Sequence, residues 1–423
     1  MKKAKKQKHK MHLEALKKAD KLLYSLILRE KERQMQGIEL IPSENLVSEA
    51  VLEALATVPT NKYSEGYPGR RYYGGNEIID KIELLAIKRL KKLFKAEHAN
   101  VQPLSGSPAN MAAFFALMKP GDKFMALRLD MGGHLTHGHK VNFSGVLFKA
   151  VHYAVDPKTE MLDYDAIEKL AKKEKPAVLL SGYTAYPRAI DFRRFKEIAD
   201  SIGAYSMADI AHIAGLCCAG VHENPAPYFD VVTTTTHKTL RGPRGAAIMC
   251  KAELANAVDK AVFPFLQGGP HENVIAAKAV AFKEAMQPSF KRYAKQVVKN
   301  AKALAEELAA LGNRIVSAGT DNHLLLVDVT SKGITGLEAE KALEKAGIYC
   351  NKNTIPYDKR SPWDPSGIRL GTPAATTRGM KEGEMQLLAY LINRVLEKPH
   401  STATIKSVKQ QVQELCKEFI FYA

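Results

Sequence analysis

The chain predicts an α/β protein, with a large domain on a mainly parallel sheet followed by a smaller C-terminal α/β domain. Three observations lead there. From residue 38 to about residue 276, short β-prone runs alternate with helical segments, the pattern of strands joined by crossover helices. A long helical pattern then runs from about residue 273 to residue 311 and stops at Gly312. Beyond it a second, shorter series of strand and helix begins. At 423 residues the chain is long enough for two such cores.

The elements follow in order. Residues 1–36 read as a basic stretch running into a helix, with Leu13, Leu16, Leu23 and Ile27 as a rough stripe and Gly37 as its breaker. Ser105-Gly106-Ser107-Pro108 precedes a helix over 109–118, with Ser107 suited to the cap and Pro108 to the first helical position. Residues 177–180, 204–209 and 230–233 read as strands, and 192–202 as the helix between the first two. After the linking helix come a strand over 323–329 and a helix over 336–346. The expected division is therefore residues 1–36, a large domain over 37–275, and a small domain over 276–423. In a parallel sheet of this kind the ligand sits beyond the carboxyl ends of the strands.

Composition narrows the function classes. A hydrophobic content of 46% and a charged content of 25% are those of an ordinary soluble protein. No apolar run approaches the ~20 residues that a membrane helix needs, and no secretory signal pattern follows the basic N-terminus. A cytoplasmic protein without membrane association is expected. The five cysteines, Cys217, Cys218, Cys250, Cys350 and Cys416, form no CxxC pair and show no zinc spacing, which fits free thiols in a reducing compartment. The net charge of +17 is partly local, because six lysines crowd the first ten residues. A solvated tail is the favoured reading of that run; a nucleic-acid arm is the sharper one, and no aromatic residue interleaves the lysines for base stacking.

The chemistry gathers on a few segments. Four threonines lead from a β-prone run into His237 and Lys238, followed by Arg241-Gly242-Pro243-Arg244-Gly245. A lysine leaving a buried strand is held rigidly, and partial desolvation lowers its pKa and frees the amine for carbonyl chemistry. Asp209 closes another strand in Asp209-Ile210-Ala211-His212. There it either caps the following helix or meets a cation. Hydroxyls and open N–H groups around Ser105, Gly106 and Ser107 suit an anion. His134 and His137 lie three apart in a glycine-rich stretch, with no carboxylate or cysteine nearby to complete a metal site, so no metal is expected. Residues 63–75 are dense in Tyr, Gly and Arg and read as a binding loop. Arg369, between apolar and Gly residues, is placed to clamp a carboxylate.

Taken in this order, these motifs resemble those of the serine hydroxymethyltransferases, fold-type-I enzymes that use pyridoxal 5'-phosphate. The resemblance runs from residue 38 to the C-terminus and leaves out the lysine-rich run. It implies a large domain of the seven-stranded type. It implies that Lys238 carries the cofactor as a Schiff base, that Asp209 keeps the ring nitrogen protonated, and that His134 stacks on the ring. Ser105, Gly106, Ser107, His237, Gly268 and Gly269 would surround the phosphate, and Thr184, His212 and Tyr63 complete the cofactor set. Ser43, Glu65, Tyr73, His137 and Arg369 would meet serine or glycine. Glu65 would be the proton-transfer carboxyl, its pKa raised by aromatic burial. Lys238, Glu65, His134, Asp209 and Tyr73 would carry catalysis. Leu129, Gly133, Leu135 and Asn353 would meet tetrahydrofolate or a modified pterin. Pro42, Leu104, Pro108 and Thr184 stand where the family usually has alanine, histidine, glutamine and serine.

The implied reaction moves the serine hydroxymethyl group to tetrahydrofolate, giving glycine and 5,10-methylenetetrahydrofolate. The implied assembly is a homo-oligomer, at least a dimer, whose 63–75 and 267–270 loops serve the neighbouring subunit. The nearest rival is a threonine-type aldolase working without folate; the Tyr-rich loop and Asn353 argue against it.

Overall fold

The computed structural model of the protein describes residues 13–422, so the lysine-rich run lies outside the described residues. The large sheet is built from β1 (His98–Asn100), β2 (Lys123–Leu127), β3 (Lys149–Tyr153), β4 (Val178–Ser181), β5 (Tyr205–Asp209), β6 (Val231–Thr235) and β7 (Ala246–Cys250). Their spatial order is β1-β7-β6-β5-β4-β2-β3. The pairs β2–β3, β2–β4, β4–β5 and β5–β6 are parallel, and β7 runs antiparallel to β6 and β1. β4, β6 and β7 are buried along their whole length, as expected of strands covered on both faces. The mainly parallel seven-stranded sheet expected from the sequence is present.

Helices cover this sheet. They include α2 (Glu77–Phe94), α3 (Gly106–Leu117), α4 (Phe192–Ser201), α5 (Glu272–Ala285) and the first half of α6 (Pro288–Ala310), whereas α1 (Lys21–Gln36) lies apart from the sheet, beside Ile38 and Glu39. α4 shows how local sequence fixes placement. Asp191 caps its N-terminus by accepting from Arg194 N, and Phe192, Phe195, Ile198 and Ala199 form the one face it buries. α1 begins at an Asp20 cap, but its Leu22, Leu23 and Leu26 are exposed.

Two expectations change here. The single helix over 273–311 is two helices, because Gln287 is extended (ψ 149°) and Pro288 starts the second. A proline disfavours helical geometry in the residue before it and suits the first helical position. The helix near residue 109 starts earlier, at Gly106, which makes Ser105 the cap residue and places Pro108 inside the first turn. A proline is tolerated there because first-turn N–H groups have no helical partner.

The C-terminal part forms a separate hydrophobic cluster. Its sheet has β8 (Arg314–Ile315), β9 (Leu324–Asp328), β10 (Asn351–Asn353) and β11 (Gly367–Gly371) in the order β8-β9-β11-β10, all antiparallel. Against it pack α7 (Gly336–Lys345), α8 (Glu382–Glu397) and α9 (Thr402–Glu418). Ile38 and Leu40 belong to this cluster, and Ile38 pairs with Ile348 in a short parallel bridge. The segment after α1 thus crosses to the C-terminal core before the chain enters the large sheet. Among the described residues, no helix is long and apolar enough to cross a membrane.

Candidate active site

The carboxyl ends of β5 and β6 open on a cavity of about 300 Å³. Lys238 reaches it three residues after β6. The turn that carries it is tied by Thr236 N to Gly245 O (3.0 Å), Gly242 N to Thr236 O (2.6 Å) and Thr236 Oγ1 to Pro243 O (2.5 Å). Asn45 Nδ2 donates to Lys238 O at 2.9 Å. The backbone is therefore fixed while, among the described residues, no hydrogen bond engages the amine. Burial pushes the Lys238 ammonium down to about 8; Arg369 and Arg244 push the same way, and Asp209 opposes them. The neutral amine is the form that attacks a carbonyl, so its population grows as pH rises through that value. Uptake of a small aldehyde by the cofactor-free protein is expected to speed up from about pH 6 to pH 9. A stopped-flow absorbance trace checks it, and a rate flat over that range would rule Lys238 out as the titrating amine.

Asp209 faces Lys238 from the end of β5. Its Oδ2 accepts from Asn110 Nδ2 (2.8 Å) and lies 3.4 Å from His137 Nε2, while Oδ1 accepts from Ala211 N (3.0 Å). Burial alone would raise this carboxyl, but His137 and Asn110 hold it well below the usual range, so it stays an anion. The carboxylate ties a local turn through Ala211 N, while the helix that follows is capped at Ile213 and not by Asp209. Gly182 lets β4 and β5 approach here, because a Cβ on it would stand 2.0 Å from Asp209 O at a φ of +107°.

The N-terminus of α3 forms the opposite wall. Its first helical bond is Ala109 N to Ser105 O, so the N–H groups of Gly106 and Ser107 have no helical partner. Ser105 makes no side-chain cap bond. A Cβ at Gly106 would stand 2.9 Å from Thr235 Cγ2, which keeps that wall open. His237 borders the same cavity, and its Nδ1 is buried with no partner among the described residues. Open backbone donors, free hydroxyls and an orphaned imidazole nitrogen form a donor set for an anion such as a phosphate.

Ser43, His134, Thr184 and His212 also line the cavity. His134 Nδ1 is 2.7 Å from Thr136 Oγ1, and burial lowers its pKa to about 4, so the ring is neutral. Arg369 is buried in β11; Nη1 donates to Thr184 O (2.7 Å) and Nε to Asn351 Oδ1 (3.0 Å). Those two bonds aim the guanidinium and leave Nη2 without a hydrogen bond among the described residues. His137 lies behind the wall, against Asp209.

Another group of expected residues gathers elsewhere. Tyr63, Glu65, Tyr73, Gly268 and Gly269 do not line this cavity. They meet one another: the Tyr63 and Tyr73 rings are 5.0 Å apart, and Tyr63 Oη is 3.4 Å from Glu65 Oε1. A Cβ on Gly268 would stand 3.1 Å from Glu65 Oε1 and one on Gly269 3.3 Å from Tyr63 Cζ. Within its own chain Glu65 is half-buried rather than enclosed by aromatics, since Tyr63 and Tyr73 are exposed. Leu129, Gly133, Leu135 and Asn353 lie outside the cavity as well, and Asn353 Nδ2 turns to Thr354 O.

The Tyr-rich loop is nonetheless rigid. Arg71, 4% exposed, donates to Asp80 (2.8 Å), Glu83 (2.6 Å), Ser64 O (2.7 Å) and Gly66 O (2.9 Å). Arg71→Met would strand Glu83, which is 1% exposed, without its cation. A loss of roughly 3–5 kcal/mol in a denaturant melt is expected. A loss below about 1 kcal/mol would show that the cluster does not hold the loop.

Asn110, Tyr183 and Glu44 border the cavity without having stood out in the sequence. Asn110 did leave a signal, a buried amide in an otherwise apolar helix, where a polar group needs a partner. A larger groove of about 790 Å³ near Cys218 and Tyr228 holds Glu223 with Lys92, Lys95 and Lys291, but those lysines are exposed and Glu223 is paired with Arg193 at 3.1 Å. Compared with known families, residues 16–392 match the model described as Serine hydroxymethyltransferase.

Proposed function

The chain belongs to the serine hydroxymethyltransferase family, and from that premise we propose how its residues divide the work. The reaction reversibly transfers the serine hydroxymethyl group to tetrahydrofolate, leaving glycine and 5,10-methylenetetrahydrofolate, with pyridoxal 5'-phosphate as cofactor. When bound, that cofactor supplies an electron-withdrawing ring conjugated to the substrate's α-carbon. Lys238 holds it through an amine that burial has made nucleophilic. Asp209 is the anion that keeps a proton on the ring nitrogen. Ser105, Gly106, Ser107 and His237 hold the phosphate, and His134, Thr184 and His212 confine the ring. Arg369 takes the substrate carboxylate with its free Nη2, Ser43 borders the cavity, and His137 acts from behind its wall through Asp209. The observation that carries this assignment is the convergence of Lys238 and Asp209 on one small cavity whose far wall is a helix N-terminus.

The remaining roles fall to the Tyr-rich loop. Glu65 moves the proton at the serine hydroxyl oxygen, beside Tyr63 and Tyr73, and Gly268 and Gly269 complete the phosphate wall. Their separation from the cavity of their own chain supports a dimer in which each loop serves the partner's cavity; the family is generally oligomeric. Exposed Tyr63, Tyr72, Tyr73, Ile78 and Phe265 fit a surface that such a dimer covers. Leu129, Gly133, Leu135 and Asn353 receive the pterin. The same reading divides the chain into a domain over residues 37–275 and another over 276–423, with Ile38 and Leu40 packed in the core of the second. Five free cysteines fit a cytoplasmic setting.

Mixing two inactive proteins tests the shared site. Lys238→Ala and Glu65→Gln protomers, unfolded together and refolded, should regain about one quarter of wild-type turnover, because random pairing leaves one intact site in half of the dimers. No recovery would place Glu65 in its own chain's site. Separately, the visible spectrum with glycine should gain a long-wavelength band only when tetrahydrofolate is added; indifference to the pterin would favour the aldolase.

A further inference from the structure

A second histidine stands behind His212. His323, immediately before β9, is fully buried and does not line the cavity, whereas His212 does. Its Nε2 lies 3.2 Å from His212 Nδ1, with the rings 5.4 Å apart and tilted by 33°. The other nitrogen of His323, Nδ1, is buried with no partner. The backbone holding both rings is fixed. Thr372 N donates to His323 O (3.1 Å), Leu324 N to Asn322 Oδ1 (3.0 Å), and Thr239 Oγ1 to His212 O (2.9 Å). Burial, reinforced by Lys238 and Arg369, lowers the pKa of both imidazoles, so both are neutral, and the 3.2 Å contact is then held by one N–H between them.

We propose that His323 is a positioning residue that donates from Nε2 to His212 Nδ1, fixing His212 as the tautomer with its proton on Nε2 and so giving the cavity a donor for an anionic oxygen of the bound cofactor. The reverse arrangement, with His212 Nδ1 donating, would put the His323 proton on Nδ1, a buried N–H without an acceptor. The arrangement chosen leaves only an unused lone pair there, the less costly of the two orphans. Among the described residues no hydrogen bond engages His212 Nε2, so its proton is free for the ligand. The donor's use rests on reading the cavity as the cofactor site; the tautomer itself does not.

The test is a ¹⁵N–¹H correlation spectrum of the full-length enzyme labelled at histidine nitrogens, freed of cofactor, with the His212 signals assigned by their loss in His212→Gln. His212 is expected to carry one proton on Nε2 and none on Nδ1. His323→Gln, which keeps a donor near the Nε2 position, should preserve that state. His323→Leu should let His212 spread over both tautomers and raise the pyridoxal phosphate dissociation constant about tenfold, against less than about threefold for His323→Gln. A wild-type His212 protonated on Nδ1 overturns the proposal, and so does a His323→Leu protein whose His212 stays a single Nε2–H tautomer. If His323→Leu does not fold, the wild-type spectrum and His323→Gln still decide. A normal tautomer with no effect on cofactor affinity would locate the error in the donor's use rather than in the histidine pair.

Discussion

Lys238→Ala is expected to lower turnover by at least about 10³-fold while leaving the protein folded. The substitution deletes the only cavity amine whose pKa burial has brought near neutrality, and with it the nucleophile toward a carbonyl. It deletes little else. The backbone of the turn keeps its bonds from Asn45, Thr236 and Gly242, because none of them uses the lysine side chain. Asp209 keeps Asn110, His137 and Ala211 N. Removing the cation loses its attraction to Asp209 and relieves its repulsion by Arg369 and Arg244, so the charge effects offset one another. The folding free energy should therefore shift by no more than about 1 kcal/mol. Three measurements separate the cases: serine-dependent formation of methylenetetrahydrofolate, the visible band of the protein supplied with pyridoxal phosphate, and a thermal melt. The band should be lost and the melt kept. Turnover within tenfold of wild type would remove Lys238 from the mechanism, and a collapsed melt would make it a structural residue.

The sequence carried the parts of this site that local chain chemistry determines. A β-prone run ending in threonines announces where Lys238 emerges, and Asp209 closes the neighbouring strand, so a parallel sheet brings the two to one edge. Ser105, Gly106 and Ser107 announce a helix start, although the start falls earlier than the proline suggested, since a first turn admits proline anywhere along it. What the sequence hid depends on contacts between distant segments. His323 meets His212 across 111 positions and looks like one more residue of an apolar strand. Arg71 looks like a surface charge until Asp80, Glu83 and Glu272 close around it. Lys278 is the extreme case: a fully buried lysine in α5, donating to Val101 O, Pro103 O and Ala246 O. Nothing in the Ala-rich pattern around it separates it from a solvated lysine. The break between α5 and α6 was legible at Pro288, but helical periodicity continues on both sides and masks it.

Asp209→Asn should cost on the order of 10²- to 10³-fold in kcat with cofactor still bound. The amide matches the carboxylate in size, and its oxygen can still accept from Asn110 or Ala211, so the end of β5 keeps its local bonds. What disappears is the charge. In the native protein that charge survives burial because His137 and Asn110 support it, which leaves an anion at the cavity edge. A neutral amide cannot keep a proton on a ring nitrogen, so the cofactor would bind but draw electrons poorly. The effect should fall on kcat rather than on KM for serine, because Arg369, which meets the substrate carboxylate, is held by Thr184 and Asn351 and not by Asp209. Steady-state kinetics with cofactor occupancy measured in parallel decides it. A kcat near wild type at full occupancy would reduce Asp209 to the cap of its own turn, while lost occupancy would make it a binding residue.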